Sequence, residues 1–417
     1  MSHQGRRGQK RASPEESSGE DDSDLDLEMD LSLGSQDEEE DDSSEEKDDD
    51  DSDEEELSGE EPMEDYKKGG YALVEPGQKI RAGGTSRNYE ILGKLGWGYF
   101  STVWLAERQG SRGQVETVAL KIVKSKPSYT EMADDEIKIF KAIARVAPRG
   151  HPHIVRMLDS FSIKDAHGTH RCLAFECQGS NLYRVLRDKY LDGIPLVVVK
   201  RLARQLLEAL EFLHLRCNLI HTDLKPENLL LSRESNAAEP DSWRLVLSDL
   251  GNVESPKRSV DSDSSVQTRH YRAPEVILKH GYSYPADIWS VACLLYELAT
   301  GRVLFDPVSD PEAEVPFKKS EDHLAQMITL IGPIPLSMLQ KNRATHEQFF
   351  NKRNELRCGR VEQLSRLSRL LIDESGWEQL EAEAFERFLL TQLAWIPAKR
   401  LKASQLLQHP WLTIRLK

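Results

Sequence analysis

The apolar positions of the chain follow two different periods. In "NYEILGKLGWG" (88–98), "STVWLAERQ" (101–109) and "ETVALKIVK" (116–124), β-branched and aromatic residues alternate with polar ones or bunch in short runs. Turns containing Gly98 and "GSRGQ" separate them, so three consecutive strands are predicted. "SYTEMADDEIKIFKAI" (128–143) changes period: Met132, Ile139, Phe140 and Ile143 recur at helical intervals, and Ser128 and Glu131 have the spacing of a capping box. A further strand pair is predicted around "IVRMLDSFSI" and "HRCLAFE". From Leu182 onward the spacing is helical, in "VVVKRLARQLLEALEFLHL", "ADIWSVACLLYELATG", "HLAQMITLIG" and "FERFLLTQL". A small β-rich lobe preceding a larger helical lobe follows, an α+β architecture without internal repeats.

The start of the chain stands outside this pattern. Residues 1–65 hold 29 Asp and Glu against 5 Lys and Arg, a net charge of −24, whereas residues 66–417 carry +8; the whole-chain value of −16 describes neither part. "DEEEDDSSEEKDDDDSDEEE" has almost no apolar surface to offset backbone ordering, which costs about 1–2 kcal/mol per residue, so a disordered acidic tail is expected. The chain then divides into a tail (1–65), a small lobe with an N-terminal extension (66–179) and a large lobe (180–417).

Five cysteines without C-x-x-C spacing argue against a disulfide framework and a zinc site. No apolar run reaches the roughly 20 residues needed to span a bilayer. A soluble protein of cytoplasm and nucleus is expected, without direct membrane or nucleic-acid contact; "RRGQKR" (6–11) has the form of a short import signal. Ser17, Ser18, Ser43, Ser52 and Ser58 each have an acid three residues later, the pattern an acidophilic kinase reads.

Gly96 and Gly98 in "LGKLGWGYFSTVWLAE" suggest a backbone that approaches phosphate. A dinucleotide fold would need this loop to open a helix, but Ser101 to Trp104 continue as a strand. The other use of such a loop is a β-hairpin over ATP phosphates, which requires a lysine on the third strand. Lys121 stands there, flanked by Ala119, Leu120, Ile122 and Val123, and a lysine on a buried strand needs an anion; Glu136, 15 residues on, can supply it. In "HTDLKPENLLL", Asp223, Lys225 and Asn228 have the spacing of phosphoryl transfer: a base, a cation for the γ-phosphate and a magnesium ligand. "SDLGN" supplies a second metal ligand, Asp249. "YRAPE" closes the segment, with Glu275 expected to pair with Arg400 of "PAKR".

These blocks, in this order, resemble the eukaryotic protein kinases over residues 71–416. The resemblance implies a bilobal fold with Mg-ATP in the cleft. Leu95, Gly96, Gly98 and Val103 would then cover the nucleotide and Ala119 and Leu230 would sandwich adenine. Phe175 would be the gatekeeper, with backbone groups of Glu176 and Gln178 on the adenine edge. "DLKPEN", together with Thr268 as the threonine that contacts the catalytic aspartate, resembles the Ser/Thr enzymes. "LGWGYFSTVWLA", "YTEMADDEI", "DLGN", "YPADIWSVACLLYELATG", "EDHLAQMITLIGPIP" and the preceding "KKGGYALVEPGQ" are similar to the SR-protein kinases, which implies serines in Arg-Ser-rich splicing factors as substrates. "TRHYRAPEVIL" and "LIGPIP" are equally similar to the LAMMER kinases, of overlapping substrate class. The alternative from another class is an acidic-tail binding or chaperone protein on a kinase-fold scaffold.

Two departures from the family pattern stand out. Only "SRESNAAEPDSW" (232–243) separates "PENLLL" from "LVLSDLG", where the family usually carries a long spacer. The acidic docking groove is diluted: Asp322 matches an acidic position, but Arg302 and Thr329 stand where acids are usual. Separately, Thr222 stands where kinases switched by activation-loop phosphorylation carry the arginine of His-Arg-Asp, so activity independent of phosphorylation at Ser262, Ser264 or Ser265 is expected.

Overall fold

The structure is a computed structural model that describes residues 1, 61–83, 87–109, 114–236, 238–257, 266–359, 361 and 366–413. The serines of the tail, the run 6–11 and Ser262, Ser264 and Ser265 lie outside the described residues. The small lobe is an antiparallel sheet of β1 (Lys79–Arg81), β2 (Asn88–Gly98), β3 (Ser101–Gln109), β4 (Val115–Val123), β5 (Met157–Lys164) and β6 (Thr169–Glu176), in the order β1-β2-β3-β4-β6-β5. Alternation decides which residues face the cleft. On β4, Val118, Leu120 and Ile122 are buried in a core with Tyr89, Ile91, Trp104, Ala106 and Phe161, while Ala119 and Lys121 point the other way. Cutting Leu120 back to Ala would leave a cavity in that core, at a typical cost of about 2–5 kcal/mol.

Residues 61–65, assigned to the tail on composition, pack against this lobe. Glu61 is buried and bonded to Lys94 and Tyr66, a short helical turn follows at Met63–Asp65, and Ala72 and Val74 join the sheet core. The 29 acids among residues 1–65 set the composition of the tail, but a few well-paired acids at its end are compatible with packing.

Helix α1 (Pro127–Val146) lies against the sheet through Ala133, Glu136, Ile137, Phe140 and Ile143. The capping box predicted for Ser128 and Glu131 does not form: Lys126 is the extended N-cap and Pro127 takes the first helical position, which places Ser128 inside the first turn. Proline's fixed φ starts the helix there. Met132, counted with the apolar stripe, is exposed.

The large lobe contains α2 (Leu182–Lys189), α3 (Leu196–Glu211), the strand pair β7 (Leu229–Leu231) and β8 (Leu245–Leu247), α4 (Pro285–Thr300), α5 (Lys319–Ile331), α6 (Leu367–Ser375) and α7 (Gln379–Leu390). Helix α4 is buried from Ala286 to Thr300; a helix apolar on all sides belongs in the middle of a lobe. It ends at Gly301, where φ is 72° and a Cβ would come within 1.9 Å of the Leu191 carbonyl. The short connection after β7 folds back on itself: Trp243 is buried and its indole donates to the Asn236 carbonyl at 3.0 Å. None of the described helices is long and apolar enough to cross a membrane.

Candidate active site

The upper wall of the cleft is fixed by strand register. Gly96 pairs with Val103, Val103 with Lys121, and Ala119 with Phe175, so these residues lie side by side across four strands. The hairpin turn itself is Tyr99–Phe100, flanked by the Gly98–Ser101 pair. Leu95 is exposed ahead of it. Phe175 packs edge-on against Phe140 of α1 at 5.1 Å. Glu176, the residue after it, binds Arg156 through its side chain at 2.6 Å, and Gln178 follows half-buried. Leu230 of β7 bridges to Asn181.

Lys121 extends from β4 to Glu136 of α1, at 2.9 and 3.1 Å to the two carboxylate oxygens, and reaches Asp249 at 3.5 Å. Burial works against the charge on Lys121, but the Glu136 and Asp249 carboxylates outweigh it and hold its pKa above the ordinary lysine value. Asp249 has φ of 55° and a side chain 41 % exposed. Burial pushes its carboxyl up; the Lys121, His221 and Lys225 charges pull harder and keep it below the usual carboxylate range. An ionised carboxylate is thereby held beside the lysine.

In the lower wall, the Asp223 carboxylate is held from three sides. Thr268 Oγ1 donates to its Oδ1 at 2.7 Å, Asn228 Nδ2 approaches Oδ2 at 3.3 Å, and Lys225 Nζ lies 3.5 Å from Oδ2. Asn228 Nδ2 also donates to the Asp223 carbonyl at 2.8 Å, which leaves the amide oxygen as the group free to meet a cation. The expected pair between Arg400 and Glu275 is present, buried and bidentate, at 2.7 and 2.6 Å.

Asp287 is a functional residue that the sequence reading did not single out. On the first turn of α4 and fully buried, its carboxylate accepts the backbone N–H of His221 at 2.8 Å and of Thr222 at 2.9 Å. It also pairs with His214 Nε2 at 2.8 Å, in the π-helical turn that ends α3. Burial pushes this carboxyl up, and the His214 contact with the other donors more than reverses it. The positive φ of 67° at Thr222 is held by this grip and by its own hydroxyl, which donates to Asn252 O at 2.7 Å. Asp287, one of two carboxylates in the otherwise apolar run "ADIWSVACLLYELAT", was the available signal, because a buried charge requires partners. Gln267 ties the other side of the segment to the same helix: its amide donates to Ala286 O and Ser290 Oγ at 3.0 and 2.7 Å. Its carbonyl accepts from Arg272 at 2.8 and 3.0 Å.

The positions expected to form a diluted docking groove have bonds of their own. Asp322 is buried and accepts from Val308 N at 2.9 Å and from Gln326 at 2.8 Å, while Arg302 pairs with Glu374 at 3.0 Å. The match at Asp322 is thus a residue that holds its own loop.

A bilobal fold with a lysine–glutamate pair above and an oriented aspartate below defines a protein kinase, and the protein kinase domain family matches residues 89–412. The serine/threonine-protein kinase SRPK of Physarum polycephalum is 37% identical over 408 residues, covering 85% of this chain and 92% of the relative. SRSF protein kinase 3 of Mus musculus is 28% identical over 526 residues (85% and 90%), and protein kinase dsk1 of Schizosaccharomyces pombe 29% identical over 475 (85% and 85%). The chain belongs to the SR-protein kinase family and is a serine/threonine kinase. The mouse comparison runs over more positions than this chain has residues, so that relative carries segments absent here.

Proposed function

We propose that the enzyme transfers the γ-phosphate of Mg-ATP to serine hydroxyls in Arg-Ser-rich protein substrates. The observation that carries this is the Asp223 carboxylate, oriented by Thr268 and Asn228 at the floor of the cleft and 3.5 Å from Lys225. In this reading Asp223 accepts the serine proton and Lys225 offsets charge on the transferring group. Lys121, kept in place by Glu136, takes the α- and β-phosphates. Leu95, Gly96, Gly98 and Val103 cover the nucleotide, Ala119 and Leu230 sandwich the adenine, and the backbone of Glu176 and Gln178 meets its edge. Magnesium takes hard oxygen donors and shares them with phosphates. The Asp249 carboxylate and the Asn228 amide oxygen fit that requirement and would hold it, where it would neutralise charge developing on the phosphates.

The name of the mouse relative, an SRSF protein kinase, supports the substrate class. So does the charge asymmetry: an Arg-rich substrate needs negative charge nearby, residues 66–417 are net +8, and the tail carries it. A tethered acidic segment gathers such substrates by steering and raised effective concentration. The basic run 6–11 supports nuclear as well as cytoplasmic residence. Labelling with Arg-Ser and acidic-context peptides tests the substrate class; equal or preferred labelling of the acidic peptide overturns it. For the tail, the deletion should stop at Glu60, since Glu61 and Asp65 are packed. Steering predicts a raised KM for the Arg-Ser peptide that converges with the full chain as salt increases.

A further inference from the structure

The segment leading into the small lobe grips the tip of the glycine-rich hairpin. Tyr71 is buried, and its hydroxyl donates to the Gly98 carbonyl at 2.9 Å. Lys124, just past β4 and 4% exposed, pairs with Asp65 at 2.7 Å and lies 4.2 Å over the Tyr71 ring and 4.8 Å over the Tyr99 ring. Its own N–H donates to Phe100 O at 2.9 Å. Across the tip, Tyr99 and Phe100 pack edge-on against Tyr129 of α1 at 6.3 and 5.3 Å. The same segment caps the entrance to α1, where Ser125 N and Lys126 N donate to Gly70 O and Gly69 O at 3.1 and 2.9 Å. Gly70 makes this close course possible: a Cβ there would fall 1.8 Å from Asp65 O.

We infer that residues 61–74 form a strap that fixes the phosphate-covering hairpin, with Tyr71 and Lys124 as positioning residues for the nucleotide. The inference rests on the ATP reading above. A glycine-containing hairpin tip exposed at the cleft is a low-stability element, and ordering it when nucleotide binds opposes affinity. The strap orders it beforehand. Because it also holds the start of α1, which carries Glu136, one segment sets hairpin and ion pair in a common frame. Burial, with the Asp65 and Glu61 charges, raises the Tyr71 phenol above its ordinary value, so the hydroxyl remains a donor throughout the neutral range.

The test uses the full chain, ATP with magnesium chloride in titration calorimetry, and steady-state transfer. Tyr71→Phe keeps the ring and removes the hydroxyl. It should weaken ATP binding and raise the ATP KM by about three- to tenfold, the worth of one hydrogen bond, while kcat at saturating ATP and the KM for protein substrate stay within about twofold. Lys124→Met should act in the same direction, and the double variant should fall short of the product of the two. Unchanged ATP affinity in both single variants overturns the strap, as does a lowered melting temperature with unchanged affinity, which would mark a merely structural contact. If the unaltered chain itself does not bind ATP, the ATP reading fails and the strap with it. If it binds ATP but does not label Arg-Ser peptide, the substrate reading alone fails.

Discussion

The upper wall of the cleft places its residues by strand register and joins them through a side-chain ion pair, Lys121 with Glu136. The lower wall is hung on one buried carboxylate: Asp287 holds two consecutive backbone N–H groups of the loop that carries Asp223. The difference separates chemistry from folding. An ion pair between side chains can be removed while the backbone ladder of the sheet remains. A buried carboxylate that satisfies backbone donors cannot be removed without leaving those donors orphaned.

Asp287→Ala should break the comparison most severely. It should abolish transfer and lower stability by about 3–5 kcal/mol, the usual cost of removing one partner from a buried pair, read by denaturant unfolding; near-native stability would show that the loop stands without it. Next, Lys121→Met should reduce kcat/KM by about 10²–10³; it leaves the buried Glu136 carboxylate without its cation and so lowers stability as well, but by less than Asp287→Ala, because no backbone donor is orphaned. Retention of more than about a tenth of the activity would remove Lys121 from its role.

Glu297 sharpens the contrast within the lower wall. Burial, and beyond it the neighbouring Glu227 charge, push its carboxyl up to about 7, while Tyr271 donates to it at 2.6 Å. Since the folded chain keeps a proton there that the unfolded chain releases above the ordinary glutamate value, stability is lost as pH rises from about 4.5 through about 7. Glu297→Gln should match the parent at pH 5 and exceed it by at most about 2–3 kcal/mol at pH 8. Parallel stability profiles for the two proteins would show that this residue is not the source. The smallest effect expected is none: phosphatase treatment, verified by mass spectrometry, should leave activity within about twofold. Thr222 offers no cation to a phosphate, and Arg272 is engaged with Gln267 O. Loss of activity, restored by a second kinase, would refute this.

The sequence made the strands legible because alternation is local: β2 and β3 begin and end where the pattern changes. Asp223, Lys225 and Asn228 were legible because one short loop carries them. The Arg400–Glu275 pair was legible through the family's pattern. What escaped were bonds between a side chain and distant backbone: Asp287 to His221 and Thr222, and Tyr71 to Gly98. No spacing in the chain encodes them. The capping box failed because Pro127 began the helix two residues earlier, with Lys126 as the N-cap. Composition likewise misplaced Glu61 and Asp65, since charge counts do not reveal which acids find Lys94 and Lys124.

The Arg400–Glu275 pair has a consequence for biosynthesis. Its members lie 125 residues apart, and both are buried. At about 5–20 residues per second, translation delivers Glu275 roughly 6–25 s before Arg400. Throughout that interval the carboxylate has no guanidinium to enter the core with. The ribosome therefore finishes the small lobe early and leaves this latch of the large lobe open until the arginine emerges.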